Sequence, residues 1–216
     1  MLNRKAFTLS ELLIALAIVG ALAALAIPAV VEDMNRKILA AQLKNLSLTI
    51  QNFTGDQLVK NKVQTLEHTD FKSPTALLSE SNFAIADQCT TRSNCVAKSY
   101  SRISGEAATF PNYVTRKLKN GVTIAYALST NTTITGDPDD APFGIFYVDL
   151  NGTDKPNILG RDFFAFRISK KGRIFDGTGN NAQNDANLKK WCTEAASGYY
   201  TTCYTLVERN NWKITY

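Results

Sequence analysis

Apolar positions are concentrated at the start of this chain. Residues 7–31 form an almost continuous apolar run, interrupted by Gly20, Pro28 and a single charge, Glu11. A helix needs roughly 20 apolar residues to cross a bilayer, so the run predicts a spanning helix. Further on the pattern becomes a stripe. Leu39, Leu43, Leu46, Ile50 and Phe53 recur at spacings of four and three, with Lys37, Lys44, Asn45 and Gln51 around and between them. That period predicts an amphipathic helix with one buried face, ending at Gly55. The two stretches predict one long helix, with a lipid-soluble half at 7–31 and a docked half at 32–54.

Residues 55–120 are polar and irregular, with a short strand expected at 61–66 and a short helix at 73–79. From residue 121 the period changes to two. Residues 121–128 alternate and are rich in β-branched and aromatic side chains; 143–150 and 163–168 are further runs. Lys170-Lys171-Gly172 then reads as a hairpin tip leading into Arg173-Ile174-Phe175. Three or four antiparallel strands are expected, their apolar face meeting the helix stripe. The tail from 186 predicts a short helix with Trp191, and a closing strand at 212–216. Helix followed by antiparallel strands is an α+β arrangement.

Charge sets the topology of the first segment. Arg4 and Lys5 precede the apolar run, and Glu32 and Asp33 follow it. Positive flanks stay cytoplasmic, which places the amino terminus inside and residues 55–216 outside. The net charge of +5 is dispersed along the chain and is not a nucleic-acid signature. Glu11 is the anomaly, because a carboxylate inside a spanning helix costs about 2.5 kcal/mol or more. It therefore implies a dedicated partner. Pro28 lacks a backbone donor and is expected to kink or locally melt the helix. Gly20 weakens it by about 1 kcal/mol relative to alanine.

Lys5-Ala6-Phe7-Thr8-Leu9-Ser10-Glu11-Leu12-Leu13 resembles the processing site of type IV prepilins and type II secretion pseudopilins. The resemblance covers about the first 50 residues, in residue type and spacing. It implies a pilin-like fold, with the long helix packed on an antiparallel sheet. It also implies a six-residue leader (1–6), cleavage between Ala6 and Phe7 by a prepilin peptidase, and methylation of the new amine on Phe7. Glu11 falls on the family's glutamate, Gly20 on a common helix glycine, and Pro28 on the usual proline. Ala6 departs from the family's glycine before the cut, which predicts slower processing. In a filament, the Phe7 ammonium of one subunit would pair with Glu11 of a neighbour. The implied partners are other pilin or pseudopilin subunits, the peptidase and methylase, an inner-membrane assembly platform, and membrane lipid before assembly. The implied location is the inner membrane, then a periplasmic or extracellular filament.

Four cysteines, Cys89, Cys95, Cys192 and Cys203, in an exported chain point to disulfides. Three pairings are open. The local ones, Cys89–Cys95 and Cys192–Cys203, are favoured because each brackets a short, turn-rich stretch. Asp149, Asn151, Thr153 (through its carbonyl) and Asp162 place oxygen at alternating positions in a glycine-containing loop. That pattern raises calcium as a ligand, although Asn151-Gly152 also reads as a plain turn. Asp137, Asp139 and Asp140 read as a solvated loop. Tyr199, Tyr200 and Tyr204 either form an exposed patch or pack around the Cys192–Cys203 loop. His68 is the single histidine and has no nucleophile frame around it. The chain lacks a phosphate-binding loop and a dinucleotide fingerprint. The reading is a structural filament subunit rather than an enzyme. The alternatives are a minor tip subunit acting as an adhesin or DNA-binding module, and an uncleaved single-span protein with a periplasmic enzyme domain.

Overall fold

The computed structural model describes residues 8–129, 141–175, 185–194 and 200–216. It forms two compact units, Met1–Ile38 and Leu39–Tyr216. One helix, α1 (Leu9–Asn61), contributes to both.

In the first unit the apolar side chains of α1 face outward all round. Leu12, Ile14, Leu16, Val19 and Leu22 are each more than half exposed. A helix that is hydrophobic on every side requires an apolar surrounding, and this one is long and apolar enough to cross a bilayer. The helix does not melt at Pro28; helical residues lie on both sides of it. Two pairs, Glu32 with Arg36 and Asp33 with Lys37 (2.7 Å), follow the apolar stretch. Each has its acid four residues before its base, the favourable order on a helix.

In the second unit α1 buries Ala40, Leu43, Leu46, Ser47, Ile50, Thr54 and Gln57. Leu39 and Phe53 of the expected stripe pack at its margins. The helix does not stop at Gly55. The cost of a helical glycine, about 1 kcal/mol, is offset by Gln57 and Leu58, which pack beyond it. The stop comes at Lys62, whose φ is 54°. Lys62 N–H donates to Val59 O and Val63 N–H to Leu58 O, both at 3.1 Å. These two bonds are a Schellman closure, and they replace the strand expected at 61–66. Single 3-10 turns at Leu66–His68 and Asp70–Lys72 lead to α2 (Pro74–Leu77), capped by Ser73.

Among the described residues the sheet has six strands, not three or four. They are β1 (Ile85–Asp87), β4 (Val114–Leu118), β5 (Thr123–Leu128), β6 (Pro142–Asp149), β7 (Phe163–Ser169) and β8 (Ile174–Phe175), antiparallel and in that order. The two added strands lie in the polar region. β1 is three residues long, and Arg116 and Lys117 mask the period of β4. Tyr100–Ser101 (β2) and Ala107–Ala108 (β3) make a separate hairpin. Two helices, α3 (Asp185–Thr193) and α4 (Thr202–Arg209), complete the tail. Residues 212–216 form no strand, although Ile214 is buried.

Register places Ile124, Tyr126, Phe146, Val148, Phe164, Phe166 and Ile168 on one face, all fully buried. Each such side chain contributes about 1.5–3 kcal/mol by leaving water. A Cβ at Gly144 would lie 2.2 Å from the Tyr126 hydroxyl. The bare backbone there lets the Tyr126 ring cross β6 and donate to Phe71 O at 3.1 Å. The expected turn at Lys170-Lys171-Gly172 joins β7 to β8, and Lys170 pairs with Glu67 at 2.8 Å. From the tail, Tyr204 packs against Phe166 with its ring tilted (4.8 Å between centroids) and shares a hydrogen bond with Ser47 (2.6 Å).

Candidate functional site

Glu11 lies in the first turn of α1, and its carboxylate has a local partner. Oε2 accepts from the Thr8 backbone N–H (2.8 Å) and from the Thr8 hydroxyl (2.7 Å). Glu11 N–H in turn donates to Thr8 Oγ1 at 3.3 Å. This reciprocal arrangement is a capping box, which satisfies amide donors that every helix start leaves open. A negative side chain is also favoured there by the helix dipole. Both residues are exposed, so the carboxylate remains accessible. At Gly20 an added Cβ would meet nothing within 4 Å. Ala6 and Phe7 lie outside the described residues.

The second candidate is the loop from β6 to β7, where Asp149, Asn151 and Asp162 converge. Asp149 and Asp162 are fully buried. Asp149 Oδ1 accepts from the N–H groups of Asn151 (3.2 Å) and Gly152 (2.8 Å), and its Oδ2 accepts from the Tyr100 hydroxyl. Asp162 Oδ1 accepts from Ile158 N–H and its Oδ2 from Asn157 N–H, both at 2.6 Å. The Asn151 amide donates to Lys155 O (3.0 Å). Thr153 is exposed. Burial pushes the Asp149 carboxyl up to about 7, against the bonds from Tyr100, Asn151 and Gly152 that pull it down. Burial also raises Asp162, opposed by the amides of Ile158 and Asn157. The Tyr100 hydroxyl is driven far above its ordinary range by burial and by the adjacent Asp149.

The protein's own donors already partner the carboxylates at which calcium was expected. The ion takes about six to eight oxygens whose lone pairs converge on it. Here every carboxylate oxygen faces an N–H or O–H donor. Among the buried side-chain atoms of the loop, two neutral amide oxygens, Asn151 Oδ1 and Asn157 Oδ1, have no donor. Among the described residues, Asp87, Cys89 and Cys95 also bring an oxygen and two sulfurs within 4.8 Å of one another. Those sulfurs are joined in a disulfide and offer no thiolate. A second disulfide joins Cys192 to Cys203.

Tyr204 is buried, and Tyr200 sits beside Tyr147 (6.4 Å) and Phe163 (6.1 Å) with the Arg102 guanidinium 4.8 Å over its ring. Both therefore pack into the domain. His68 is exposed on a turn. Tyr199, Asp137, Asp139 and Asp140 lie outside the described residues. Two participants escaped the sequence reading. Thr8 carried a signal, the Thr-x-x-Glu spacing of a capping box. Tyr100 carried none, because it meets Asp149 across 49 residues of chain.

The fold is an α+β domain whose first helix begins in a membrane-length apolar stretch with one capped carboxylate. Residues 1–27 match the prokaryotic N-terminal methylation motif, the signature of type IV pilins and pseudopilins. No curated protein matches the chain, and no solved structure matches it.

Proposed function

We propose that this chain is a structural subunit of a filament of the type IV pilus or type II secretion pseudopilus kind. It is cut between Ala6 and Phe7 by a prepilin peptidase and methylated on Phe7. It waits in the inner membrane with its amino terminus inside and its second unit exported. It joins the filament through the apolar half of α1, Glu11 pairing with the Phe7 ammonium of a neighbour. The observation that carries this reading is the lone carboxylate in an otherwise uncharged run, within the methylation motif. Removing one member of a desolvated ion pair leaves an uncompensated charge, so Glu11 specifies register as well as contact. In the free subunit the Thr8 donors hold the carboxylate, and assembly exchanges or supplements them with the neighbour's ammonium.

Mass spectrometry of the native amino terminus tests the proposal. A chain beginning at methylated Phe7 is expected. An intact Met1 in cells with active prepilin peptidase refutes processing and the assembly built on it.

A further inference from the structure

We infer that the 149–162 loop is a metal-independent clasp, in which the Tyr100 hydroxyl and four backbone N–H groups do the organising that calcium does in loops of similar sequence pattern. The donors are the N–H groups of Asn151, Gly152, Asn157 and Ile158, which together with Tyr100 reach all four oxygens of Asp149 and Asp162. The two buried carboxylates are thus partnered by the protein itself. Gly152 is buried, and without Asp149 its N–H would lack an acceptor, the costly state for a backbone donor. Asn151 points the same way. Its NH2 donates to Lys155 O at 3.0 Å, which closes the loop on itself without a metal.

The clasp joins three parts of the chain distant in sequence. Tyr100 brings in the β2–β3 hairpin, and its neighbour Ser101 extends the join. Ser101 N–H donates to Asn157 O (3.0 Å), and Leu159 N–H donates to Ser101 O (2.9 Å). Gly160 brings in the tail. Its φ is +90°, a Cβ there would lie 3.0 Å from Cys203 Sγ, and its carbonyl accepts from the Tyr216 hydroxyl at 3.0 Å. Calcium-free closure of this loop therefore holds the hairpin, the sheet and the carboxyl-terminal disulfide in one assembly. The inference rests on the loop alone and does not depend on the filament reading.

The test uses the full chain in detergent micelles, stripped with EDTA, then titrated with calcium chloride. An unchanged thermal midpoint, and no tyrosine-sensitised terbium luminescence, are the expected results. Tyr100→Phe keeps the ring against Phe110 and Phe163 and removes only the hydroxyl. It is expected to lower the midpoint equally with and without calcium, and to speed hydrogen exchange in residues 149–162. A saturable rise of the wild-type midpoint with calcium overturns the inference. So does terbium luminescence that calcium competes away, or a Tyr100→Phe variant whose midpoint and loop exchange match the wild type.

Discussion

Thr8 and Glu11 cap one another. The Thr8 backbone and hydroxyl donate to the Glu11 carboxylate at 2.8 and 2.7 Å, and the Glu11 amide returns to the Thr8 oxygen at 3.3 Å. The charge that is costly in a membrane-length helix is thus placed where helix geometry supplies donors. Cap and assembly contact are separable by substitution. Glu11→Gln keeps a residue competent for the capping box but carries no charge; Glu11→Ala loses both, with a cap cost of about 1 kcal/mol. Both variants are expected to insert in the membrane normally and to fail to enter filaments. Immunoblots of sheared filaments against membrane fractions measure this, and normal filaments from Glu11→Gln would refute the charge pairing.

Asp149 makes stability depend on pH. Its carboxyl is raised to about 7 by burial, whereas an unfolded aspartate titrates near about 3.9. Between those values the folded chain holds a proton that the unfolded chain has released. The contribution is complete below the unfolded value and is lost as pH rises through the folded one. Asp162 is shifted in the same direction and adds to the trend. Thermal midpoints measured from pH 4 to pH 8 (the range bracketing about 3.9 to about 7) are expected to fall, with a shallower fall in Asp149→Asn.

Gly144→Ala sets a methyl group against the Tyr126 ring, 2.2 Å from its hydroxyl at the starting geometry. The ring also holds Phe71 O, so it cannot swing aside without breaking that bond. Overpacking of this kind costs about 1–3 kcal/mol. Denaturant unfolding of Gly144→Ala should show the loss. The double variant Gly144→Ala/Tyr126→Leu should lose less than the two single costs combined, because the clash is gone.

Lys62 occupies the left-handed position that ends α1, with φ at 54°. Glycine adopts that conformation without a Cβ penalty. Lys62→Gly is expected to stabilise the chain by about 0.5–1 kcal/mol, net of the greater freedom glycine gives the unfolded state. A lowered denaturation midpoint would show that the lysine side chain contributes more than its backbone costs.

The parts of the fold that sequence revealed were those with one dominant period. The stripe of Leu43, Leu46 and Ile50 shows a single buried face, and β5 to β7 carry the runs that fill the core. The parts it concealed were decided by distant partners. β4 contains Arg116 and Lys117, and only pairing with β5 identifies it as a strand. The end of α1 was misplaced at Gly55 because propensity is local, whereas Gln57 accepts from Asp70 N–H (3.4 Å) and donates to its carboxylate (3.1 Å), across 13 residues. In the 149–162 loop the residue types were legible but their orientation was not. The same aspartates and asparagine serve a cation or a set of amides, and only the direction of each N–H separates the two.

Both disulfides are short-range, spanning 6 and 11 residues. A bridge requires its two Cα atoms to come within about 7 Å, and a short loop meets that requirement with little ordering elsewhere. Neither bond therefore has to wait for the sheet to close. Each can be oxidised within its own segment, before the long-range strand order exists. A chain with this bonding pattern is protected from trapping its two ends in the wrong partnership as it folds.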